Sequence, residues 1–511
     1  MDSRLALTLA GTMALSFAFD AIAAPRAPAR RSMVALSIHV LGVVFVFLCM
    51  VLVSGRAQFS SFVSAAVVGL LAAVSNAKYA SLREPFVFTD LSLFSQLFAH
   101  PRLYLPFLSA SKVLAIALGT GLLIAGFLLE KRHALQPAIF VFLAACACLV
   151  VGSLLAARLP LSLIPSDDQR RHGFFAVFVA YLLNGLRPAT WRTFRRAMES
   201  GPFTLGAPAA CPDVVVIQSE SFFDARRLGS FVRQAILSHH DVARSESVEY
   251  GELTVPAWGA NTMRTEFAML SGLPESLLGY ARFYPYAFVR HACASLASWF
   301  KRAGYRTLAI HPYYANFFGR DRVFRLLHID KFLDIASFAN ARHAGPYVGD
   351  AAVADAIIHS LETGGDEPAF IFAMTMENHG PLNLETVEPG EATKYHTLGD
   401  GAHWHDLTAY LRHLANADAM IAALLEYLRT RRRKTVLCFY GDHVPALPHI
   451  FGKLDIEPAR SDYFIWRNFG EVCATERHLS AEELGAALIR AIDRGDMSDA
   501  TVGTLRKMAE Q

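Results

Sequence analysis

Apolar residues are distributed very unevenly along this chain, and that distribution constrains its fold more than any other feature. Long apolar runs fill residues 1–160, whereas residues 200–511 mix short apolar runs with polar residues, as globular domains do. Only 18% of the 511 residues are charged, compared with about 25% in soluble proteins. This distribution disfavours both a purely soluble enzyme and a pure transporter. The formal net charge of +3 gives no indication of a nucleic-acid partner.

Membrane-spanning helices explain the N-terminal apolar runs. A span requires about 20 mostly apolar residues, because the hydrocarbon core of a bilayer is about 30 Å thick. Three runs meet or nearly meet this length, and they cover residues 33–54, 113–129 and 137–157. The run 59–75 is less apolar, but its small residues favour close packing between helices.

A further apolar run, residues 5–24, ends in AIA-AP, which resembles a signal-peptide cleavage site. Because Pro25 follows closely and Arg4 is the only basic residue before the run, we predict an uncleaved first span. Residues 1–160 are thus predicted to form a transmembrane domain of about five helices. A cytoplasmic N-terminus would then place the C-terminal domain on the outer side of the cytoplasmic membrane, although the basic residues of the loops favour the inverse orientation.

Residues 161–209 are predicted to form an interfacial linker. The run 174–186 is too short to span a bilayer, so it predicts either a helix lying at the membrane interface or a buried first helix of the soluble domain. Residues 81–105 mix aromatic and polar side chains and are also expected at the interface. The arginines that follow the run 174–186 suit anionic lipid headgroups, and they are Arg187, Arg192, Arg195 and Arg196.

Residues 210–511 alternate short apolar runs with helical patterns, which is typical of a parallel α/β sheet. The predicted strands cover residues 214–218, 307–310, 369–374 and 436–440, with an edge strand at 463–466. The predicted helices cover residues 294–303, 350–362, 406–431 and 481–494.

Chemically active side chains follow four of these strands. They are Glu220, His311, His379 in the run Glu377-Asn378-His379-Gly380, and the adjacent pair Asp442 and His443. Sites in open α/β sheets gather beyond the carboxyl ends of the strands, so we expect these side chains to lie at one edge. Carboxylate and imidazole ligands suit Mn²⁺, Mg²⁺ or Zn²⁺. The alternative is that each is only a solvated turn residue.

A candidate nucleophile lies in the segment 259–273, GANTMRTEFAMLSGL. Thr262 follows a loop and precedes a helical run, and the N-terminus of a helix favours anions. Metal coordination would lower the pKa of the Thr262 hydroxyl and make it a nucleophile toward phosphorus. The alternative is that Thr262 only caps the helix.

Together these motifs resemble the alkaline-phosphatase/sulfatase superfamily and, within it, the membrane-bound lipoteichoic acid synthase and phosphoglycerol transferase family. VVVIQSESFFD resembles the first strand of that family, NTMRTEF resembles its nucleophile segment, and YGDHVPA resembles its closing Gly-Asp-His motif. The resemblance implies a multi-span α-helical membrane domain followed, over residues 210–511, by an α/β domain with a central, mostly parallel sheet flanked by helices. It implies a divalent metal ion, with Mn²⁺ expected ahead of Mg²⁺ and Zn²⁺. The implied ligands are Glu220, Thr262, Asp442 and His443, with Thr262 also the nucleophile.

The same resemblance implies that His311, Phe318 and Arg320 hold the phosphorylated head group, and that His379 protonates the leaving alcohol. Arg320 suits phosphate because a guanidinium binds it through two parallel hydrogen bonds. The alternatives are an ion pair with Asp321 or a helix-start charge for Arg320, and a purely structural role for His311. Two departures from the family leave the substrate open: Phe318 stands where a larger aromatic is expected, and Met263-Arg264 stand where small or acidic residues are usual.

The implied activity is transfer of a phosphoglycerol-type head group from a phospholipid, with phosphatidylglycerol expected, to a cell-surface glycan or glycolipid. The alternatives are a phosphoethanolamine transferase, a phosphodiesterase or other sulfatase-like hydrolase, and a non-catalytic membrane-anchored binding protein. The formylglycine signature of true sulfatases, C/S-x-P-x-R, is absent around all seven cysteines. The resemblance to sulfatases therefore predicts the fold and not sulfate hydrolysis. The four cysteines of the C-terminal half either form disulfides outside the cell or stay buried and reduced, and the sequence does not choose between these alternatives.

Overall fold

The computed structural model describes residues 3–92, 110–132 and 138–493. The chain divides into two compact units, Met1–Trp191 and Arg192–Gln511. This division falls inside the segment 161–209, for which the sequence predicts a linker.

The first unit is helical, and three of its described helices are long and apolar enough to cross a membrane. These three are α2, α3 and α5, and they contain the predicted spans at residues 33–54 and 59–75 and most of the one at 137–157. Helices α1 and α4 lie at the two other predicted spans, so the total of five crossings stays a prediction. The predicted interfacial run 81–105 lies largely outside the described residues. The helices are α1 (Ser3–Ala21), α2 (Met33–Ser54), α3 (Ala57–Leu82), α4 (Ala110–Leu129), α5 (Ala138–Ala156), α6 (Pro165–His172), α7 (Phe174–Gly185) and α8 (Pro188–Glu199), the last of which crosses the division.

Helix α7 packs within the first unit. Its residues Ala176 and Ala180 form a buried cluster with Ala35 and Ile38 of α2 and with Ala156 of α5. Alanine side chains allow helix backbones to approach closely, which favours such packing. Because α7 packs with the helices of the first unit, the alternative of a first helix of the soluble domain is wrong. A position at the membrane interface stays a prediction.

The second unit is built on a nine-stranded sheet. Its strand order is β10-β2-β9-β8-β1-β7-β3-β4, and β11 also pairs with β2. Strands β8, β1, β7, β3 and β4 are parallel, which confirms the predicted mostly parallel sheet. The strands are β1 (Asp213–Ser219), β2 (Glu249–Thr254), β3 (Arg306–Ile310), β4 (Lys331–Leu333), β7 (Ala369–Met374), β8 (Thr435–Gly441), β9 (Arg460–Arg467), β10 (Thr475–Glu476) and β11 (Leu479–Ser480), with β5 (His343–Ala344) and β6 (Tyr347–Val348) forming a separate hairpin.

The prediction of an edge strand at residues 463–466 is wrong. This segment belongs to β9, which lies inside the sheet and pairs in antiparallel fashion with both β8 and β2. The neighbouring strand on the outer side of β9 is β2. Its sequence is EYGELT, in which buried positions alternate with less buried ones. Because β2 is polar, it is not part of an apolar run, and apolar runs therefore do not predict it.

Helices flank the sheet and enclose its core. Alternate residues of β1 and β8, such as Val215 and Phe439, lie in one buried cluster with Leu411 and Leu414 of the longest helix. Fully burying an aliphatic or aromatic side chain of this kind contributes roughly 1.5–3 kcal/mol. This packing fixes the strand ends from which the candidate site is built. The helices are α9 (Ser238–Ser245), α10 (Thr262–Ser271), α11 (Leu296–Lys301), α12 (Arg320–Leu326), α13 (Asp350–Glu362), α14 (His405–Thr430), α15 (Pro448–Leu454) and α16 (481–493), with one-turn helices at Glu275–Leu278, Pro285–Phe288 and Ala392–Tyr395.

Candidate active site

The register of the sheet brings the predicted strand-end residues to one edge. Ser219 of β1 lies beside Gly441 of β8, so the next residues, Glu220 and Asp442, are neighbours. On the other side of β1, strands β7 and β3 follow in order and end at the same edge. Gly441 is required at its position because a side chain there would collide with the carbonyl oxygen of Phe222.

Glu220, Asp442 and His443 form a buried cluster whose ligand atoms all lie within 4.8 Å of one another. Nε2 of His443 lies 3.6 Å from Oε1 of Glu220 and 3.5 Å from Oδ2 of Asp442. Nδ1 of His443 donates a hydrogen bond to the Val444 carbonyl oxygen at 3.0 Å, which leaves the Nε2 lone pair facing the two carboxylates.

The residues of this cluster fit a divalent metal ion. Oδ1 of Asp442 accepts hydrogen bonds from the backbone N–H groups of Ser221 and His443, whereas buried Oδ2 has no partner among the described residues. Burial, and then the charge of Asp442, raise the pKa of Glu220 to about 8. Buried carboxylates are stable when they are paired or bind a metal, so a cation here would relieve both conditions.

Thr262 lies next to this cluster, with its Oγ1 3.5 Å from Nε2 of His443. It is the first residue of α10, and Asn261 takes the N-cap position in a left-handed conformation with φ of 64°. Thr262 is therefore not the cap of the helix, and its side chain is only half-buried. Thr265 on the next turn donates a hydrogen bond to the Asp442 carbonyl oxygen at 2.7 Å, which ties α10 to the loop that carries Asp442 and His443. The structure thus brings all four predicted metal-binding residues together.

Arg320 is fully buried, and its ion-pair partner is Glu266 rather than the Asp321 considered from the sequence. Nε of Arg320 lies 3.0 and 3.1 Å from the two carboxylate oxygens of Glu266, and Nη2 lies 2.8 Å from Oε2. Tyr286 donates its hydroxyl to the same carboxylate. Glu266 is one turn after Thr262 on α10, so a single helix carries the candidate nucleophile and the partner of the candidate phosphate-binding arginine.

His311 lies against Arg320. Its Nδ1 is 3.4 Å from the Met374 carbonyl oxygen, and its Nε2 is 3.3 Å from Nη1 of Arg320. Burial, and then the charge of Arg320, hold the pKa of His311 well below its usual range. The ring is therefore neutral, with Nδ1 protonated and Nε2 accepting a hydrogen bond from Arg320.

Phe318 is buried, and its ring centre lies 5.3 Å from the guanidinium carbon of Arg320. The residue has a φ of 56°, and Tyr284 donates a hydrogen bond to its carbonyl oxygen at 3.3 Å. Ser221 and Asn261 also have positive φ values. Left-handed backbone at residues other than glycine carries strain and is concentrated at functional sites, which agrees with the positions of these three.

His379 follows β7 and is half-buried. Its Nδ1 donates a hydrogen bond to the Gly380 carbonyl oxygen at 2.7 Å and lies 3.4 Å from the Tyr347 hydroxyl. Burial lowers the pKa of His379, while the charges of Asp442 and Arg320 act on it in opposite directions. The charges of Asp442 and Arg320 therefore both act on the pKa of His379. The two contacts described above are made by Nδ1 and not by Nε2.

Glu377, two residues before His379, belongs to a different cluster. Its Oε1 accepts a hydrogen bond from Nδ1 of His413 at 2.8 Å, and Nε2 of His413 is 2.7 Å from Glu385. Burial alone would lower the pKa of His413, but hydrogen bonds to the two carboxylates raise it to about 9. This charged cluster fixes the loop that carries His379.

Several residues of the site were not assigned from the sequence. Glu266 was visible in the motif NTMRTEF, and its spacing of four from Thr262 places both on one face of a helix. Tyr286 and Tyr347 had no such signal, because they reach the site from a one-turn helix and a two-residue hairpin strand. None of the seven cysteines is paired in a disulfide in this structure.

Comparison with known proteins places the fold in a family. The Sulfatase family model matches residues 212–493. The Capsular polysaccharide biosynthesis protein RkpI of Rhizobium meliloti (strain 1021) is 30% identical over 416 residues, which cover 77% of this chain and 74% of the relative.

Two solved structures are also similar. The integral membrane lipooligosaccharide phosphoethanolamine transferase A (EptA) from Neisseria meningitidis has a TM-score of 0.54 at 13% identity, covering 91% of this chain and 96% of that one. The Streptococcus pyogenes phosphoglycerol transferase GacH, in complex with sn-glycerol-1-phosphate, has a TM-score of 0.48 at 23% identity, covering 60% and 81%.

These matches confirm the expected relation to the alkaline-phosphatase superfamily and the expected order of a helical membrane region followed by an α/β domain. The family match begins just before β1 and ends with the last described helix, so it contains every residue of the strand-end site. This chain belongs to the Sulfatase family.

Proposed function

We propose that this protein is a membrane-bound transferase that moves a phosphoglycerol-type head group from a phospholipid, phosphatidylglycerol, to a cell-surface glycan or glycolipid. The observation that carries the proposal is the position of Thr262. Its hydroxyl lies 3.5 Å from His443 in the metal cluster, at the N-terminus of α10 and within reach of solvent.

Glu220, Asp442, His443 and Thr262 would hold the divalent metal ion, with Mn²⁺ expected ahead of Mg²⁺ and Zn²⁺. When bound, the ion supplies positive charge that lowers the pKa of the Thr262 hydroxyl and stabilises the phosphoryl oxygens. Thr262 then attacks phosphorus, and the bond from phosphorus to the diacylglycerol oxygen breaks. The N–H groups at the start of α10 face the developing negative charge.

His379 is suited to move the proton in both steps. Its Nδ1 is held by Gly380, so Nε2 is the atom that exchanges a proton. In the first step, protonated His379 gives the proton on Nε2 to the leaving diacylglycerol oxygen. In the second step, the acceptor hydroxyl returns a proton to Nε2 as it displaces the head group from Thr262. The lowered pKa of His379 favours its neutral form, which is the form that accepts the proton in the second step, and it makes the protonated form a stronger acid in the first.

The membrane helices and one relative support the choice of substrates. Three described helices have the length and composition of membrane spans, which suits an enzyme whose donor is a lipid. RkpI is described as a capsular polysaccharide biosynthesis protein, which supports a glycan as the acceptor. The cytoplasmic membrane, with the second unit on its outer side, is the proposed location.

Turnover of labelled lipids tests the proposal. The full chain, purified in detergent with Mn²⁺, is given fluorescent phosphatidylglycerol or phosphatidylethanolamine, and labelled diacylglycerol is measured. We expect diacylglycerol from phosphatidylglycerol, its loss in Thr262→Ala, and normal release in the matched control Thr363→Ala, whose hydroxyl contacts only the helix backbone at His359. Release from phosphatidylethanolamine alone would identify a phosphoethanolamine transferase. Release from neither lipid would contradict a transferase that uses either donor.

A further inference from the structure

Arg320 and Glu266 form a buried ion pair. The position of the Arg320 guanidinium is held more tightly than phosphate binding alone requires. Both side chains are almost completely excluded from solvent, at 1% and 0% exposure. Glu266 also accepts the Tyr286 hydroxyl, and Tyr286 is itself fully buried. A buried carboxylate with three hydrogen-bond donors around it is held in one position.

The contacts of Arg320 determine which of its donors remain for a substrate. A guanidinium carries one N–H on Nε and two on each terminal nitrogen. Glu266 takes the Nε donor and one donor of Nη2, and His311 takes one donor of Nη1. One N–H then remains on each terminal nitrogen. Two such donors form the parallel pair that binds two oxygens of one phosphoryl group.

Glu266 also sets the charge of this half of the site. Its carboxylate offsets the charge of Arg320, just as Glu220 and Asp442 offset a divalent cation in the other half. With that cation bound, the combined site would be close to neutral before a substrate binds. A neutral site favours a phosphodiester, which carries one negative charge, over a phosphomonoester dianion, which would bring a second uncompensated charge.

The same helix connects the two halves. Thr262 and Glu266 are one turn apart on α10, and Thr265 between them is hydrogen-bonded to the Asp442 backbone. A shift of Glu266 relative to Arg320 would therefore change the position of the phosphoryl group relative to the Thr262 hydroxyl. Errors of about 1 Å at this point cost about 100-fold in rate.

We propose that Glu266 is a positioning residue that holds Arg320 with two N–H groups directed to the phosphoryl oxygens, and that it restricts the site to phosphodiester monoanions. This inference rests on the proposed function, because it concerns the same site. Glu266 acts through Arg320 and α10 and does not contact the reacting atoms.

The test uses the full chain in detergent and measures anion binding as well as turnover. At about pH 8, inorganic phosphate is largely a dianion and dimethyl phosphate is a monoanion. We expect Glu266→Gln to shift relative affinity by about tenfold toward inorganic phosphate, because it leaves the charge of Arg320 unbalanced. We expect its kcat to fall about tenfold or more while KM changes less, because Arg320 loses its fixed orientation.

Two further variants separate the effect of the Glu266 charge from the effect of the position of its carboxylate. Glu266→Asp keeps the charge and shortens the side chain, so its kcat should fall while its anion preference stays as in the wild type. Glu275→Gln is the matched control, because Glu275 is also an acidic partner of two arginines, Arg264 and Arg282, and is not itself assigned to the site. Its kcat and anion preference should both be unchanged.

The anion measurement does not depend on which lipid is the donor, so it separates failure of this inference from failure of the proposed function. An unchanged anion preference and an unchanged kcat in Glu266→Gln would overturn the positioning role even if phosphatidylglycerol is turned over. If Glu266→Gln does not fold, as judged by its thermal unfolding with Mn²⁺, Glu266→Asp decides the question, and a wild-type kcat in that variant overturns the proposal.

Discussion

The two halves of the candidate site differ in whether their charges are already paired. In the half proposed to bind a metal ion, Glu220 and Asp442 are buried side by side, and Oδ2 of Asp442 has no hydrogen-bond partner in the described part of the chain. In the head-group half, Arg320 is already held by Glu266 and His311. The carboxylates of the first half have their charges balanced only when a cation binds. The charges of Arg320 and Glu266 in the second half are already paired before a substrate arrives. One edge of the sheet therefore carries two kinds of group: carboxylates that are suited to bind a cation, and an ion pair that is suited to orient a phosphoryl group.

The largest effect is expected from the half proposed to bind a metal ion. Asp442→Asn removes the charge of the oxygen that has no partner, so we expect loss of bound metal and a fall in turnover of about 10³-fold or more. Metal content of the purified protein and lipid turnover measure the two effects. Asp366→Asn, at an exposed position, is the control. Full metal content in Asp442→Asn would show that Asp442 is not a ligand.

Replacing Arg320 and replacing Glu220 should change the stability of the second unit in opposite directions. Arg320→Gln leaves Glu266 buried without its cation and should lower the stability of the second unit by about 3–5 kcal/mol. Burial, and then the charge of Asp442, raise the pKa of Glu220 to about 8, so the metal-free protein must take up a proton at Glu220 to fold near neutral pH. Glu220→Gln removes this requirement, so the metal-free protein should become more stable near neutral pH. Thermal unfolding without metal measures both changes, with the exposed Arg325→Gln on the same helix as Arg320 serving as control. Destabilisation by both variants would remove the distinction between the halves.

The cluster of His413, Glu377 and Glu385 provides a second example of pre-paired charges. The folded-state pKa of His413 is about 9, above the ordinary 6.5, so its contribution is fully present below pH 6.5 and is lost as the pH rises through 9. The shift corresponds to about 3 kcal/mol. Thermal unfolding of the wild type with saturating metal should therefore show falling stability over this interval, with a smaller slope in Glu385→Gln. A flat profile for the wild type would mean that His413 is neutral.

The smallest effect is expected where the two halves are joined. Thr265→Val keeps the shape of the side chain but removes the hydrogen bond to the Asp442 carbonyl oxygen. We expect a loss of about 1 kcal/mol in stability and a modest loss of metal affinity. Thermal unfolding with and without Mn²⁺ measures both, and Thr265→Ser, which keeps the hydroxyl, should restore them. Equal behaviour of the two variants would show that this bond does not connect α10 to the metal loop.

Sequence patterns predicted the positions of Glu220 and Asp442 better than the contacts of Arg320, and the reason is physical. The strands at 214–218 and 436–440 are buried on both faces, so they are continuous apolar runs, and the first polar residues after them lie at the sheet edge. Glu220 and Asp442 were found in this way. Their adjacency then depends only on the register of two parallel strands.

The head-group half depends on contacts between elements that are distant in the sequence. Arg320 was identified by resemblance, but its partner Glu266 is 54 residues earlier and was not assigned. The polar strand β2 was missed for a related reason, and with it the interior position of β9. Short-range periodicity does not specify which elements pair, because pairing depends on packing across the sheet.

The most direct test is the covalent intermediate on Thr262. The full chain is incubated with Mn²⁺ and phosphatidylglycerol without an acceptor, quenched in acid, digested and analysed by mass spectrometry. We expect a phosphoglycerol adduct on the peptide that contains Thr262, absent after Thr262→Ala and absent when phosphatidylglycerol is omitted. Release of diacylglycerol with no adduct on Thr262, or with the adduct on another residue, would contradict the role of Thr262 as nucleophile.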